Sequence, residues 1–252
     1  MVGNDPDTVV ISANLRASRY EFAAEMLRRL QGCSPSNIVF DIGTGTASLR
    51  ETVEAEGWRW QGFDVSPVSA QITKWDLSSP CPAVEKADIG LLLDVLEHCR
   101  NPGLALGNIA ATLRPAGWLV MTMPNPCWSR SRIHALLHGV PTCFTQSDLD
   151  HNGHVFTPWP HIVARLLADA GFDVVQYVTL DGWTVWPGRP ISPRYPLRLL
   201  QAAANMLIER LDASACGMSY GLVARLGRSD AQPVPPLGVI NGGRASVCAA
   251  PR

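Results

Sequence analysis

The sequence has very little lysine, with only Lys74 and Lys86 among its 252 residues. Basic and acidic residues balance to a formal net charge of −1, and neither sign is concentrated in one run. This balance excludes the strongly basic surface that binding to nucleic acid or to an anionic membrane requires. We therefore expect no nucleic-acid partner, and a substrate other than a large polyanion.

Two further absences concern cysteine patterns and long apolar runs. The seven cysteines are an odd number at scattered positions and include no Cys-x-x-Cys pair, so neither a disulfide framework nor a zinc site is indicated. No apolar run approaches the length that spans a membrane. The first residues are polar and acidic, where a secretory signal is basic and then apolar. These features predict a cytoplasmic protein without stable membrane insertion.

The most informative stretch that is present covers residues 37–49. An apolar run ends at Asp41 and is followed by a loop with Gly43 and Gly45, which predicts a buried strand, a tight turn and a helix. Glycine at such a turn lets the backbone approach a nucleotide-like ligand, because a side chain would stand in the way. A second apolar run ends at Asp64, about twenty residues on, the spacing at which a neighbouring strand presents a carboxylate to ribose hydroxyls.

Strand and helix patterns alternate along the rest of the chain, which predicts a parallel sheet with crossover helices. Residues 127–153 have no regular pattern and are predicted to be a long connection, a feature that is usually functional. The predicted strands cover residues 37–41, 58–65, 72–75, 88–93, 118–123, 172–180 and 219–226. The predicted helices cover residues 16–30, 49–56, 104–113, 159–170 and 197–211.

The order Asp-x-Gly-x-Gly-x-(Gly/Ala), here Asp41 to Ala47, resembles that of the class I S-adenosylmethionine-dependent methyltransferases. Nicotinamide-dependent oxidoreductases share the glycine-loop logic, but their fingerprint requires a third glycine where Ser48 stands. The resemblance runs from about residue 16 to residue 228. It implies an α/β fold with a Rossmann-like, seven-stranded mixed sheet, mostly parallel with the last strand antiparallel, and helices on both faces.

The resemblance also divides the chain into segments. It implies a methyltransferase domain at residues 16–228, between a flexible N-terminus at 1–15 and a Pro- and Gly-rich tail at 229–252 that we predict to be disordered. Within the domain, residues 127–153 and 181–218 are predicted to form the walls of the acceptor pocket.

In this family the first acid and the glycines hold the methionine end of S-adenosylmethionine, the second acid takes the ribose hydroxyls, and a later segment meets the adenine. Carried over to this sequence, the cofactor residues are Asp41, Gly43, Thr44, Gly45, Asp64, Val65, Asp76, Leu77 and Asp94. Arg19 and Tyr20 on the preceding helix are candidates for the cofactor carboxylate, with a solvated helix face as the alternative.

The segment Asp94-Val95-Leu96-Glu97-His98 follows the fourth predicted strand. It resembles the Glu-x-x-Glu-His element of the ubiquinone-pathway O-methyltransferases and the small-RNA 2′-O-methyltransferases, with aspartate in place of the first glutamate. Those families bind a divalent metal, such as Mg²⁺, with that element and a later histidine. The candidate ligands here are Glu97, His98, His151 and His154. Alternatively, His98 or His154 acts as a general base, or these histidines only line the pocket.

These inferences predict an enzyme that transfers a methyl group from S-adenosylmethionine to a small molecule. A hydroxyl is the favoured acceptor, in a quinone or phenol, a secondary metabolite or a sugar. Methylation at nitrogen or carbon is one alternative. Another is a non-catalytic cofactor-binding protein that senses or scaffolds and docks to a partner or a membrane surface through the apolar helix at residues 197–211. We expect a monomer or a homodimer.

Overall fold

The structure is a computed structural model that describes residues 10–12, 17–31, 36–83, 85–182 and 195–227. Its strands are β1 (Val10–Ser12), β2 (Ile38–Ile42), β3 (Arg59–Asp64), β4 (Ile72–Lys74), β5 (Ala87–Leu93), β6 (Leu113–Pro124), β7 (Phe172–Leu180) and β8 (Ser219–Leu226). They form one sheet in the order β1-β7-β8-β6-β5-β2-β3-β4.

Seven of these strands correspond to the seven predicted ones. Every neighbouring pair is parallel except those that β8 makes with β6 and β7, which are antiparallel. The predicted mixed sheet with an antiparallel last strand is therefore confirmed. Val10–Ser12 adds a short eighth strand beside β7, within a segment where the sequence shows no pattern.

The helices are α1 (Arg19–Arg29), α2 (Arg50–Ala55), α3 (Pro102–Ala110), α4 (Ser129–His138), α5 (Pro160–Asp169) and α6 (Tyr195–Leu211). Short 3₁₀ turns lie at Leu96–His98 and Ala213–Ala215, and a π-helical turn lies at Asp148–Asn152. Helix α1 begins at a capping box, in which the side chains of Ser18 and Glu21 each accept from the other residue's backbone N–H. This box satisfies donors that the first helical turn leaves open.

An apolar layer packs on each face of the sheet, because its central strands are buried on both sides. One layer contains Phe22 and Leu27 of α1 and Val53 of α2. The other contains Leu106 of α3 and Leu167 of α5. The two layers fix the strand ends, and with them the loops that carry the candidate site.

Residues 127–153 differ from the sequence prediction of a connection without regular structure. They contain α4 and the π-helical turn. The prediction is wrong here because serine, arginine and histidine take many positions of α4 and obscure its apolar period. Residues 229–252, most of 1–15 and residues 183–194 lie outside the described residues, so the predictions for those parts of the domain division stay predictions.

In the described part of the chain, no helix is long and apolar enough to cross a membrane.

Candidate active site

A cavity of about 590 Å³ opens at the carboxyl ends of β2, β5 and β6. Ligands bind at this edge in open parallel sheets, and the volume is typical of a small-molecule site. Residues from α1, the loop after β2, the turn after β5, the end of β6 and the segment before α5 line it: Arg19, Tyr20, Asp41, Gly43, Thr44, Gly45, Thr46, Ser48, Leu49, Leu93, Asp94, Glu97, His98, Pro124 and His154.

The loop after β2 requires glycine at both predicted positions. Gly43 and Gly45 have φ values of +73° and +56°, in the left-handed region that L side chains rarely adopt. A Cβ at Gly43 would lie 2.4 Å from Cγ2 of Val95, whereas one at Gly45 would meet no described atom within 4 Å. The backbone N–H groups of Gly43 and Thr44 both donate to the Phe63 carbonyl, at 2.8 and 3.0 Å. The loop is thus tied to β3 and leaves open space above Gly45.

Asp41, the acid at the end of β2, is buried and holds the loop in shape. Its Oδ2 accepts from Thr44 Oγ1 at 2.5 Å and from Trp60 Nε1 at 3.1 Å. Burial raises the pKa of Asp41, and these two hydrogen bonds oppose the increase. The side chain therefore joins the loop to β3 as well as lining the cavity.

Asp64 ends β3 beside the same loop. Its carboxylate accepts from the backbone N–H of Gly45 at 2.9 Å and from that of Ser66 at 2.8 Å. These bonds keep the carboxylate next to the glycine loop at this edge of the sheet. Val65, which follows, is exposed.

Asp76 and Leu77 follow β4, and neither lines the cavity itself. The backbone N–H of Trp75 donates to the Asp64 carbonyl at 2.9 Å, which brings this segment beside Asp64. Asp76 is exposed and accepts from the Ser78 backbone at 2.9 Å, while the Leu77 carbonyl accepts from Asn108 Nδ2 at 2.8 Å. The two residues lie next along the edge of the sheet.

Asp94 turns the chain from β5 into the 3₁₀ turn, with a left-handed φ of 53°. It forms an ion pair with Arg19 of α1, and its other oxygen accepts from Thr122 Oγ1 at 2.7 Å. The sequence analysis assigns Asp94 to the cofactor but misses Thr122. The signal for Thr122 is its position at the end of the adjacent strand, because Thr122 pairs with Leu93.

Glu97, His98 and His154 form an acid–imidazole cluster on the cavity wall. Their candidate ligand atoms all lie within 4.8 Å of one another, and the two imidazole ring centroids are 5.0 Å apart. The N–H groups of Val155 and Phe156 donate to the Glu97 carbonyl at 2.9 and 3.0 Å. These bonds bring the segment before α5, and with it His154, against the turn after β5.

Glu97 is only 1% exposed, and neither of its carboxyl oxygens has a hydrogen-bond partner among the described residues. Burial, with a smaller effect from Asp94, raises the pKa of Glu97 to about 8. A buried carboxyl group without a partner is rare in proteins, since leaving it unpaired costs its full desolvation.

The two imidazoles of the cluster differ in their environments. Burial, together with the neighbouring His154, lowers the pKa of His98, so its neutral form is favoured. Nδ1 of His154 lies 2.6 Å from the Cys143 carbonyl and must carry a proton, so the neutral form of this ring has its lone pair on Nε2. Both rings can therefore present a basic nitrogen to the cavity.

His151, the fourth predicted metal ligand, lies apart from the cluster. It is exposed, and its Nδ1 is 3.0 Å from the Ser147 carbonyl in the π-helical turn. The structure therefore brings together three of the four predicted ligands.

The sequence matches the family described as "Methyltransferase domain" over residues 15–177, more than half of the chain. No curated protein matches it. Among solved structures, a SAM dependent methyltransferase from Archaeoglobus fulgidus is 20% identical, with a TM-score of 0.53 over 83% of this chain and 95% of that one.

Two further structures share the fold. One is a chain of the complex between the Haloferax volcanii Trm112 methyltransferase activator and a methyltransferase, with a TM-score of 0.55, 16% identity, and coverage of 85% of this chain and 92% of that one. The other is the [4+2]-cyclase SpnF, with a TM-score of 0.52, 17% identity, and coverage of 89% and 90%. With the glycine loop, Asp64 and the family match, the chain belongs to the methyltransferase-domain family and is an S-adenosylmethionine-dependent methyltransferase.

Proposed function

We propose that this enzyme methylates a hydroxyl group of a small molecule, such as a quinone or phenol, a secondary metabolite or a sugar. The observation that carries the proposal is the pair of imidazoles, His98 and His154, in the same cavity as the glycine loop. S-adenosylmethionine supplies an activated methyl group, so the protein mainly positions the acceptor. A hydroxyl must also lose a proton, and a neutral imidazole is a suitable base.

Oxygen is favoured as the acceptor atom because a hydroxyl needs a general base to remove its proton. A neutral amine already carries a nucleophilic lone pair, whereas a hydroxyl becomes a good nucleophile only as its proton leaves. His98 has a lowered pKa and His154 has its Nε2 lone pair available. Either ring can take the proton while the oxygen attacks the methyl carbon.

We infer that the cofactor lies over the loop of Gly43, Thr44 and Gly45, where open space above Gly45 leaves room for it. Asp41 and Asp94 would flank its methionine end, since both line the cavity. Asp64 would accept from the ribose hydroxyls. The adenine would lie beyond, where exposed Val65 and the Asp76-Leu77 segment follow their strands.

We also infer that residues 16–228 form the methyltransferase domain. Residues 127–153 and 181–218 would lie beside the acceptor side of the cavity, although none of its described lining residues belongs to either segment. The Cys143 carbonyl, which holds His154, supports the role of the first segment. Helix α4 of the first segment packs against α6 of the second, so the two segments meet.

Binding a divalent cation such as Mg²⁺ is a second proposed role for the same residues. The observation that favours it is Glu97, whose two buried oxygens have no partner among the described residues. With His98 and His154 it offers one oxygen and two nitrogen donors, and the Cys143 contact of His154 is the kind that fixes a ligating tautomer. A bound cation would lower the pKa of the acceptor hydroxyl and orient it.

The test is release of S-adenosylhomocysteine with a panel of hydroxylated acceptors, with and without chelator. We expect turnover by the wild type and a loss of about 100-fold or more in His98→Ala or His154→Ala, the range typical of a general base. Affinity for S-adenosylmethionine should be retained in the variant that loses turnover. Turnover that survives both substitutions would rule out the imidazoles as base.

Cation binding has its own readout, which is equilibrium dialysis with Mg²⁺ alone. One bound ion per chain that is lost in Glu97→Gln would support the site. The matched control is Asp150→Asn, which changes an exposed carboxylate on the nearby π-helical turn and should leave binding unchanged. If Glu97→Gln binds Mg²⁺ as the wild type does, the proposed cation site is wrong, and only the proposal that an imidazole acts as a general base remains.

A further inference from the structure

Helix α6 presents an apolar seam to solvent. Leucine or alanine recurs at intervals of three, four, three and four residues, at Leu197, Leu200, Ala204, Leu207 and Leu211. This spacing averages 3.5 residues and keeps the five side chains on one stripe of the helix. We call these five residues the α6 seam.

The four leucines of the seam are exposed by 66%, 68%, 59% and 79% in chain order. The opposite side of α6 faces the protein instead. Asn205 is buried there, and the Glu209 carboxylate accepts from Ser129 Oγ of α4 at 2.7 Å. Helix α6 thus leaves its leucines facing solvent, whereas an ordinary surface helix turns its apolar stripe toward the core.

We propose that the α6 seam pairs with the same seam of a second copy of this chain and makes a homodimer. A strict 3.5-residue repeat is the pattern by which one helix packs along another, knobs into holes. A two-fold dimer needs a patch that is complementary to itself, and the seam meets that condition. Its middle residue, Ala204, is small and half-buried, so it meets its own copy where two parallel seams align and lets the two backbones come close.

The size of the surface fits a dimer. At roughly 100 Å² of apolar surface per leucine side chain, the four seam leucines, exposed by 59–79%, offer on the order of 270 Å². A standard interface buries about 800 Å² per partner, of which about 65% is apolar in homodimers. The seam leucines therefore supply about half of the apolar area required, and the surface on either side of the seam has to supply the rest.

The charges on α6 favour a helical partner over a lipid surface. Its three charged residues are Arg198, Glu209 and Arg210, and it has no lysine. A helix that lies on a membrane carries many basic residues along its polar face. None of the three charges is a seam position, so no charge is buried when two seams meet.

The first test is sedimentation velocity of the full chain over a wide range of concentration. The wild type should approach twice the 27.3 kDa chain mass, and Leu207→Glu should sediment as a monomer with an unchanged circular dichroism spectrum. The matched control is Met206→Glu, because Met206 adjoins Leu207 and is similarly exposed, at 51% against 59%, but lies off the seam. It should remain a dimer.

The second test is oxidative cross-linking of Ala204→Cys, which should give a disulfide-linked dimer that the wild type does not form. A monomeric wild type at the highest concentration would overturn the proposal. So would a dimer that survives Leu207→Glu, or one that Met206→Glu breaks equally. Co-sedimentation of a monomer with anionic vesicles, or dimerisation that appears only after residues 229–252 are removed, would assign the seam to another occupant. None of these outcomes depends on the acceptor or on catalysis.

Discussion

Gly43 and Gly45 both have a left-handed backbone, but their surroundings differ. Substitutions at the two positions can therefore distinguish an effect on stability from an effect on cofactor affinity. A Cβ at position 43 would collide with Val95, while one at position 45 would project into open space in the described structure. We expect Gly45→Ala to cost about 1–2 kcal/mol of stability from backbone strain. Affinity for S-adenosylmethionine should also fall about tenfold or more. Gly43→Ala should destabilise further. Calorimetric titration and thermal unfolding measure the two effects.

A matched control exists in Gly57, which follows α2 away from the cavity. Its φ is +77°, and a Cβ there would likewise meet no described atom within 4 Å. Gly57→Ala should therefore lose stability like Gly45→Ala while keeping wild-type affinity. Equal loss of affinity in both variants would mean that strain alone explains the effect, and that the cofactor does not lie over Gly45.

The Asp64 carboxylate gives a second residue-scale prediction. It accepts from two backbone N–H groups and is the inferred acceptor for the ribose hydroxyls. A hydrogen bond to a charged group is worth about 1.5–3 kcal/mol, so Asp64→Asn should weaken S-adenosylmethionine binding by about 10- to 100-fold. Asp76→Asn, which changes an exposed carboxylate one strand away, should have a smaller effect. Unchanged affinity in Asp64→Asn, measured by calorimetry, would remove Asp64 from the cofactor site.

At the scale of elements, α1 packs close enough to the sheet to reach the cavity because β8 has a glycine, Gly221, where the two elements meet. A Cβ at Gly221 of β8 would lie 2.6 Å from Cε1 of Phe22, and Phe22 belongs to the same helix as Arg19 and Tyr20. Gly221→Ala should therefore push α1 outward and cost about 1–3 kcal/mol, as overpacked cores do. Cofactor affinity should fall at the same time, because Arg19 and Tyr20 line the cavity.

The compensating change is Phe22→Leu in the Gly221→Ala background, which shortens the side chain that the new methyl group meets. The double variant should recover part of both the unfolding midpoint and the affinity. The explanation would be wrong if the double variant recovered its stability but not its cofactor affinity. The position of α1 would then not be the cause of the lower affinity in Gly221→Ala.

How well the sequence predicts a strand or helix depends on how many of its residues are apolar and buried. The sequence predicts β7 and β8 with the boundaries that the structure has, because each strand is mostly apolar and Gly171, with its positive φ, separates β7 from α5. Helix α4 was not predicted, since its polar positions hide the helical period and its contacts are long-range, such as that of Arg132 with Asp212. Val10–Ser12 is too short to show a pattern and depends on pairing with β7.

The residues of the candidate site likewise fall into those that the sequence predicts and those that only tertiary contacts identify. The residues that follow strands by fixed spacing, Asp41, Asp64 and Asp94, lie at the ends of their strands as expected. His151 and His154 are three residues apart in sequence, and periodicity does not distinguish them. The distinction comes from tertiary contacts: His154 is held by Cys143 beside His98, while His151 turns back to Ser147. Such contacts between distant segments cannot be read from local sequence.

At the scale of the whole molecule, the fold alone does not specify the reaction. The same architecture is found in the [4+2]-cyclase SpnF, so function has to be argued from the site. In this chain the glycine loop and the acid–imidazole cluster share one cavity. Under the proposed function, the acceptors to test first are compounds that need a base or a cation.

The last prediction concerns which part of the chain is needed for cofactor binding. Among the described residues, all that line the cavity lie from Arg19 to His154, so a chain that ends at residue 227 should bind S-adenosylmethionine as the full chain does. In both chains, cofactor at 100 times its dissociation constant should add about 2.7 kcal/mol of stability. For a domain of this size, that corresponds to a midpoint increase of roughly 5–11 °C. NAD(H) at the same concentration should give no increase, and weaker cofactor binding by the shortened chain would place part of the site within residues 228–252.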